Sequence, residues 1–168
     1  MEWISYDKIL YDSSIDGTDG KVFRDRIINH SHLYFIVIDS DCNVFGHYHD
    51  SLINKCGNGN SYEDLEKNSI QNDRIFLFTL HNNQDNRIQK FEQREKVSTL
   101  IYDNSYFYRC GGESLVRFYV LNIGSCCNEM KGISVMFNGT NGTELIGSSC
   151  DEENVPFTVN RLIVIKMK

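Results

Sequence analysis

The chain has 168 residues, of which 40% are hydrophobic and 12% aromatic, and its formal net charge is −6. This composition supplies enough apolar side chains for a substantial core, so it excludes a wholly disordered chain and predicts a single domain over residues 1–168. The acidic balance argues against a surface that neutralises phosphates, so we expect no nucleic-acid partner.

The first predicted elements are a turn and a helix. A short apolar run at Lys8–Tyr11 precedes the segment 12–20, which is rich in Asp, Ser and Gly and therefore predicts a turn. The following sequence KVFRDRIIN has apolar residues at helical spacing, with Thr18 or Asp19 available as the N-cap and Asn29 near the end. This segment is the strongest helix candidate of the chain.

A β-hairpin is predicted next, with strands Leu33–Asp39 and Val44–His49 joined by the four turn-forming residues SDCN. The first strand is apolar on both faces, which is typical of an interior strand. The second strand alternates, so one of its faces should be exposed to solvent. We expect His47 and His49 on that solvated face.

Residues 55–73 are polar and rich in Gly and Asn, which predicts a loop, although Ser61 could cap one short helical turn. Short β-branched and aromatic runs separated by turn signals then predict a mainly β fold, either a sandwich or a barrel. These predicted strands are Arg74–His81, Arg87–Gln93, Ser98–Asp103, Ser105–Cys110, Ser114–Ile123, Gly132–Asn138 and Phe157–Met167.

Two sequence patterns suggest metal ligands. Asp12, Ser14 and Asp16 followed by Gly17 resemble the start of a calcium loop, but the twelfth position, which should carry a bidentate carboxylate, is Phe23. The pairs His30/His32 and His47/His49, with Cys42 between them, have a spacing that zinc or copper could use, but no Cys-x-x-Cys half-site accompanies them. We therefore predict no metal site.

No catalytic or cofactor-binding residues are predicted either. The sequence has no Gly-x-Ser-x-Gly motif, and its glycine pairs do not match a phosphate-binding loop. Aromatic residues cluster at 102–108 and 118–119 and could stack on sugars or bases, but packing between strands explains them better. The residues of this cluster are Tyr102, Tyr106, Phe107, Tyr108, Phe118 and Tyr119.

The N-terminal sequence MEWISYDKIL lacks the pattern of a signal peptide, and no run of 18 apolar residues occurs. We therefore expect a cytoplasmic protein that does not insert into membranes. In that compartment the cysteines should remain reduced thiols. They are Cys42, Cys56, Cys110, Cys126, Cys127 and Cys150.

The order of several motifs resembles the TLDc domain. Residues 9–17 are similar to its opening LLY.S..DG segment, residues 44–48 (VFGHY) to its FG strand, and residues 75–80 (IFLFTL) to its FLF.L strand. Residues 135–150 are similar to its LWLD..L..G.S..C segment through Phe137, Leu145, Gly147, Ser148 and Cys150. The resemblance covers nearly the whole chain. The Trp that usually follows the FG strand is not evident, which indicates a divergent member.

The resemblance implies a sandwich of two antiparallel sheets with a few short flanking helices. It also implies a link to protection against oxidative damage and, as for several members, binding to the vacuolar proton-pumping ATPase and regulation of its assembly. The leading hypothesis is therefore a non-enzymatic protein-interaction domain, peripheral to organelle membranes through its partner. Two alternatives are a thiol-based antioxidant using Cys56, Cys110 or Cys150, and a sugar- or metal-binding sandwich using the aromatic cluster or the His pairs.

Overall fold

The computed structural model describes residues 6–58, 61–103, 106–112, 119–124 and 128–167. The strands are β1 (Tyr6–Asp12), β2 (Leu33–Asp39), β3 (Val44–His49), β4 (Ile70–Gln71), β5 (Ile75–His81), β6 (Gln89–Glu92), β7 (Val97–Ile101), β8 (Tyr106–Gly112), β9 (Tyr119–Gly124), β10 (Glu129–Met130), β11 (Val155–Pro156) and β12 (Val159–Met167). The helices are α1 (Ser13–Asp16), α2 (Gly20–Ile27), α3 (Tyr62–Asn68), α4 (Ile133–Met136) and α5 (Thr143–Ile146).

Within the described residues, the strands form two sheets of six strands each. The first sheet has the order β1-β12-β2-β3-β5-β6 and the second has the order β11-β10-β9-β8-β7-β4. Neighbouring strands are antiparallel in both sheets. The rings of Phe35 in the first sheet and Tyr108 in the second lie 4.8 Å apart, so the two sheets pack face to face. The prediction of a mainly β sandwich with a few short helices is confirmed.

The predicted hairpin has the bounds that the sequence indicates, with β2 and β3 joined by residues 40–43. The side chain of Asp39 fixes the turn, because its Oδ1 accepts hydrogen bonds from the backbone N–H groups of Asp41 and Asn43. Strand β2 lies between β12 and β3, as the apolar character of both its faces predicts.

The predicted helix is α2, which contacts both sheets. Asp19 is its N-cap and accepts a hydrogen bond from the backbone N–H of Lys21 at 2.7 Å. Phe23 and Ile27 of this helix are fully buried. The Phe23 ring lies 5.1 Å from that of Tyr11 in the first sheet and 4.8 Å from that of Phe107 in the second. The helix therefore belongs to the core that both sheets share.

The prediction of a strand at 132–138 is wrong, because this segment contains the one-turn helix α4. Ile133 and Met136 are three residues apart, so a single helical turn directs both into the core, where their exposed fractions are 0% and 3%. Gly132 precedes this turn in the left-handed conformation, with φ 65°. Phe137 then becomes extended and forms one bridge with Gln93. Tertiary packing here overrides the β propensity of the sequence.

Three other segments contain more structure than predicted. The turn at 12–20 includes α1, and the loop at 55–73 includes α3 and β4. Ser61 caps α3 as predicted, since its Oγ accepts a hydrogen bond from the backbone N–H of Asp64 at 3.1 Å. The apolar run near residue 9 forms β1, which pairs with β12.

The remaining predicted strands correspond to observed strands with shifted ends. Strands β5 to β8 lie within or next to the predicted ranges, and the last strand begins two residues later than predicted, at Val159. The prediction at 114–123 partly lies outside the described residues, which include β9 from Tyr119.

None of the helices in the described ranges combines the length and the apolar character that a membrane-spanning helix needs.

Candidate functional site

The outer side of the first sheet carries four aromatic residues in contact with one another, of which Tyr34 and Tyr48 are half-exposed, whereas Phe76 and Phe78 are only 8% and 6% exposed. We call this surface the outer aromatic face; it consists of Tyr34, Tyr48, Phe76 and Phe78. Strand register produces it, because Tyr34 on β2 pairs with Tyr48 on β3, which pairs with Phe76 on β5. Directly paired residues in antiparallel strands project from the same side of the sheet.

The rings of the outer aromatic face contact one another closely. The ring centroids of Tyr34 and Tyr48 are 5.0 Å apart, and those of Tyr48 and Phe76 are 5.1 Å apart in a stacked arrangement. Two polar groups lie at the rim of the face. Nδ1 of His32 lies 2.8 Å from the Tyr48 hydroxyl, and Nζ of Lys90 lies 4.1 Å from the centre of the Phe76 ring. The aromatic surface is therefore ordered by its own contacts.

Isoleucines extend this apolar surface across β2 and β12. Ile165 pairs with Tyr34, and Ile163 pairs with Ile36, so all three isoleucines project outward beside the aromatic rings. They are half-buried, and Ile9 on the neighbouring strand β1 is 49% exposed. The solvent side of an antiparallel sandwich normally carries polar residues at these positions. An apolar outer side is typical of a surface that contacts another molecule.

Gly46 lies at the centre of this outer side, between Ile36 and Phe78 in the strand register. A Cβ atom at this position would lie 1.8 Å from the Phe35 carbonyl oxygen and 3.0 Å from Cζ of Phe78. The absence of a side chain therefore allows the Phe78 ring to lie against the β3 backbone. This explains the glycine in the FG strand of the sequence motif.

A second unusual group of residues lies between the sheets, and we call it the inter-sheet polar cluster. It consists of His47, His49, Asn72, Thr99 and Tyr108, all of them buried. Oγ1 of Thr99 lies 3.2 Å from Nδ1 of His49 and 3.2 Å from Nδ2 of Asn72. Several other polar atoms have no hydrogen-bond partner within the protein, namely both ring nitrogens of His47, Nε2 of His49, Oδ1 of Asn72 and the Tyr108 hydroxyl.

Burial determines the protonation of this cluster. It lowers the pKa of His47 well below the usual value, and the neighbouring His49 acts in the same direction. Burial also lowers the pKa of His49 to about 4, although Asp50 and the Ser51 backbone favour the charged form. Burial raises the pKa of the Tyr108 hydroxyl as well. Both imidazoles and the phenol are therefore neutral near pH 7.

The prediction that His47 and His49 lie on a solvated strand face is wrong. They share the inner face of β3 with Phe45, whereas Val44 and Tyr48 on the opposite face are half-exposed. The inner face is set by packing, since His47 stacks on Phe35 with ring centroids 4.6 Å apart. The alternation of β3 was recognisable in the sequence, but both of its faces are partly apolar, so the sequence did not identify the inner one.

The other candidate metal ligands do not converge on one point. His32 is exposed and Cys42 is exposed at the hairpin turn, whereas His47 is fully buried on the inner face. Across the described ranges, no group of three or more His, Cys, Asp or Glu residues is placed to hold a metal ion.

The carboxylates of the calcium-like loop accept hydrogen bonds from other groups of the protein. Asp12 accepts a hydrogen bond from Nε of Arg161 at 2.9 Å and from the backbone N–H of Ser14 at 3.0 Å. Asp16 accepts from the Asp12 backbone N–H and from Arg26, each at 2.9 Å. These bonds cap α1 and attach it to β12, so the segment has a structural explanation.

The cysteines singled out as antioxidant candidates have different environments. Cys110 and Cys150 are buried, and burial raises the pKa of each thiol to about 12, which disfavours the reactive thiolate. Cys56 is half-buried and Cys42 is exposed. Cys126 and Cys127 lie outside the described residues.

The aromatic cluster predicted at 102–108 contributes to the core. Tyr102, Phe107 and Tyr108 are 8%, 4% and 0% exposed, and Tyr108 lies 5.3 Å from the His47 ring. The interpretation as packing is therefore confirmed for these residues. The side chains of Tyr106, Phe118 and Tyr119 are outside the described part of the structure.

The outer aromatic face was not predicted from the sequence. The signal that could have indicated it is the apolar character of both faces of β2 and β5.

A shallow polar groove of about 550 Å³ lies between the β6–β7 connection and α4–α5. Its lining residues include Arg94, Phe137, Thr143 and Glu144. Oγ1 of Thr140 donates a hydrogen bond to Glu144 at 2.6 Å, which orders the carboxylate. The groove is polar and open, so it supplies no enclosed reaction site.

A model of the TLDc domain family matches residues 5–149. None of the curated proteins compared with the chain shows a significant match. The matched range includes the residues of both the outer aromatic face and the inter-sheet polar cluster, whereas β11 and β12 follow it.

Proposed function

Since the chain belongs to the TLDc domain family, we propose that it is a non-enzymatic protein-interaction domain whose partner docks on the outer aromatic face. The family is associated with oxidation resistance, and the resemblance of the sequence motifs suggests a subunit of the vacuolar proton-pumping ATPase as the partner. Resistance to oxidative damage is then an indirect result of binding. The protein would act in the cytoplasm, at organelle membranes that carry the partner.

The observation that carries this proposal is the apolar outer side of the first sheet. Tyr34 and Tyr48 are half-exposed, and they are aromatic residues of the kind that dominate binding energy at protein interfaces. Tyrosine combines a large apolar ring with a hydroxyl group, so it tolerates water in the free domain and gains contact area in a complex.

The size of this surface favours a different protein over a second copy of the chain. Strands β12, β2, β3 and β5 lie side by side, and two or three rows of side chains on four strands cover roughly 350 Å². A stable interface covers about 800 Å² of each partner. Two copies facing each other through this surface alone would bury too little area, whereas a larger partner can also contact the loops around the rim.

Replacing Tyr34 with Glu should weaken binding to the partner at least about tenfold, because it places a charge in the middle of the apolar surface. The measurement is the dissociation constant between the full chain and purified subunits of the proton pump, determined by biolayer interferometry. Circular dichroism and a thermal melt establish that the variant is folded.

The matched control is Ile15→Glu, which introduces the same charge at a residue that is 79% exposed on α1 and outside the outer aromatic face. Its affinity should equal that of the unchanged chain. Equal weakening by both variants would remove the outer aromatic face as the binding surface. Failure of the unchanged chain to bind any pump subunit would contradict the proposal that a subunit of the proton pump is the partner.

A further inference from the structure

The inter-sheet polar cluster lowers the stability of the fold, and the proposed function does not explain why the cluster is present. An uncharged polar atom that is buried without a hydrogen-bond partner destabilises a fold, and here such atoms come from both sheets. His47 and His49 lie on β3 of the first sheet, and Tyr108 lies on β8 of the second. The cluster is thus placed where the two sheets meet.

We propose that His47 and His49 form an acid-sensitive latch between the two sheets. When the imidazoles are neutral, His47 packs against both Phe35 and Tyr108, which also contact each other, and the three rings join β2 and β3 to β8. Protonation adds a charge and an N–H donor in a buried place whose lining side chains are neutral. The contact between β3 and β8 then opens.

The surroundings of the two imidazoles contain little that could stabilise the added charge. The strand-register partners of His47 are Phe35 and Leu77, and those of His49 are Leu33 and Ile75, all of them apolar. The second sheet and its β4–β5 loop contribute neutral groups, namely Thr99, Asn72, Tyr108 and the thiol of Cys110.

Asp50 is the carboxylate whose charge acts on His49. Its oxygens already accept hydrogen bonds from the Ser51 hydroxyl and from the Arg74 backbone N–H, each at 2.9 Å. On β8, Arg109 alternates to the face opposite Tyr108 and Cys110. Protonation of the latch therefore lacks a compensating ion pair at Nε2 of His49 and at either nitrogen of His47.

The first test measures stability between about pH 7 and pH 5.5, above the range in which most carboxylates titrate. A histidine that is protonated only after unfolding raises the unfolding equilibrium constant about eightfold over this interval, and two such residues raise it about 70-fold. His47→Phe keeps a flat ring against Phe35. In this variant the unfolding equilibrium constant should rise only about eightfold over the same interval, instead of about 70-fold. Urea unfolding followed by circular dichroism provides the equilibrium constants.

The control is His32→Asn, which removes an exposed imidazole at a position with φ 56°, where Asn is well tolerated. It should retain the acid dependence of the unchanged chain. If His47→Phe does not fold, histidine signals in the NMR spectrum of the unchanged chain provide the same information. Both buried imidazoles should remain neutral at about pH 5.5 in the folded protein; titration near pH 6.5 would overturn the proposal.

The second test distinguishes opening of the latch from general unfolding. Cys110 lies on β8 beside Tyr108, whereas the equally buried Cys150 lies near α5. A dipyridyl disulfide probe with mass spectrometry measures the labelling rate of each thiol, and the ratio of the two rates cancels the effect of pH on the reagent. Between about pH 7 and pH 5.5, the Cys110/Cys150 ratio should rise up to about 70-fold in the unchanged chain and up to about eightfold in His47→Phe, which retains His49. An unchanged ratio in both proteins would overturn the latch.

Discussion

Asp12, the last residue of β1, connects this strand to the helix α1 and to β12 through its carboxylate. It caps α1 through the Ser14 backbone N–H and binds Arg161 of β12 through two hydrogen bonds. The carboxylate is almost fully buried, whereas Arg161 is 42% exposed. The hydrogen bonds from Arg161 hold the pKa of Asp12 well below its usual value. The charged form of Asp12 therefore stabilises the folded state.

Asp12→Asn should reduce the free energy of unfolding by about 1–2 kcal/mol at neutral pH, because the exposed guanidinium loses a partially screened charged partner. Since the pKa of Asp12 is lowered in the folded state, its charged form contributes fully to the free energy of unfolding at pH values above the ordinary carboxylate pKa. It is lost progressively as the pH falls below about 4. Urea unfolding of both proteins at several pH values measures this difference. The exposed Asp85–Arg87 pair supplies the control, and Asp85→Asn should cause no measurable change.

At the scale of single elements, local signals predicted α2 and the β2–β3 hairpin well. Helical spacing and the Asp19 cap define the helix, and four turn-forming residues set the register of the hairpin. The segment 132–138 shows the limit of such signals. Its β-branched residues favour a strand, but the burial of Ile133 and Met136 requires a helical turn, and this burial depends on distant parts of the chain.

The N-cap of α2 provides a test at this scale. Asp19→Ala should reduce the free energy of unfolding by about 1 kcal/mol, because the Lys21 backbone N–H loses its acceptor. Thermal or urea unfolding measures the change. Asp25→Ala on the same helix is a matched control, since Asp25 is 61% exposed and lies 3.7 Å from Arg24 in a weak pair. An equal loss in both variants would show that the capping hydrogen bond is not the cause.

At the scale of the whole molecule, the sequence motifs predicted the two-layer architecture but not either candidate site. The outer aromatic face requires the pairing of Tyr34 with Tyr48 and of Tyr48 with Phe76, and this register becomes visible only when three strands are assembled. The inter-sheet polar cluster requires the two sheets to face each other. Sequence patterns describe each strand separately and therefore did not identify which face of β3 is internal.

The position of β12 gives a prediction for the complete fold. This strand lies between β1 and β2, and its residues Leu162 and Val164 are fully buried, although it follows the range that the family model matches. A chain that ends at residue 158 should lack cooperative unfolding, because two strands of the first sheet lose their common neighbour. Circular dichroism during thermal unfolding measures this. A chain ending at residue 167 is the control, and cooperative melting of the shorter chain would contradict the prediction.

The same position of β12 affects how the protein can fold while it is synthesised. Strands β1 and β2 emerge early from the ribosome, but the strand that joins them is translated after all the others. Until then their edges remain available for wrong pairing, and contacts between such distant segments form slowly. Strands β1 and β2 therefore reach their place beside a common neighbour only after β12 has been synthesised.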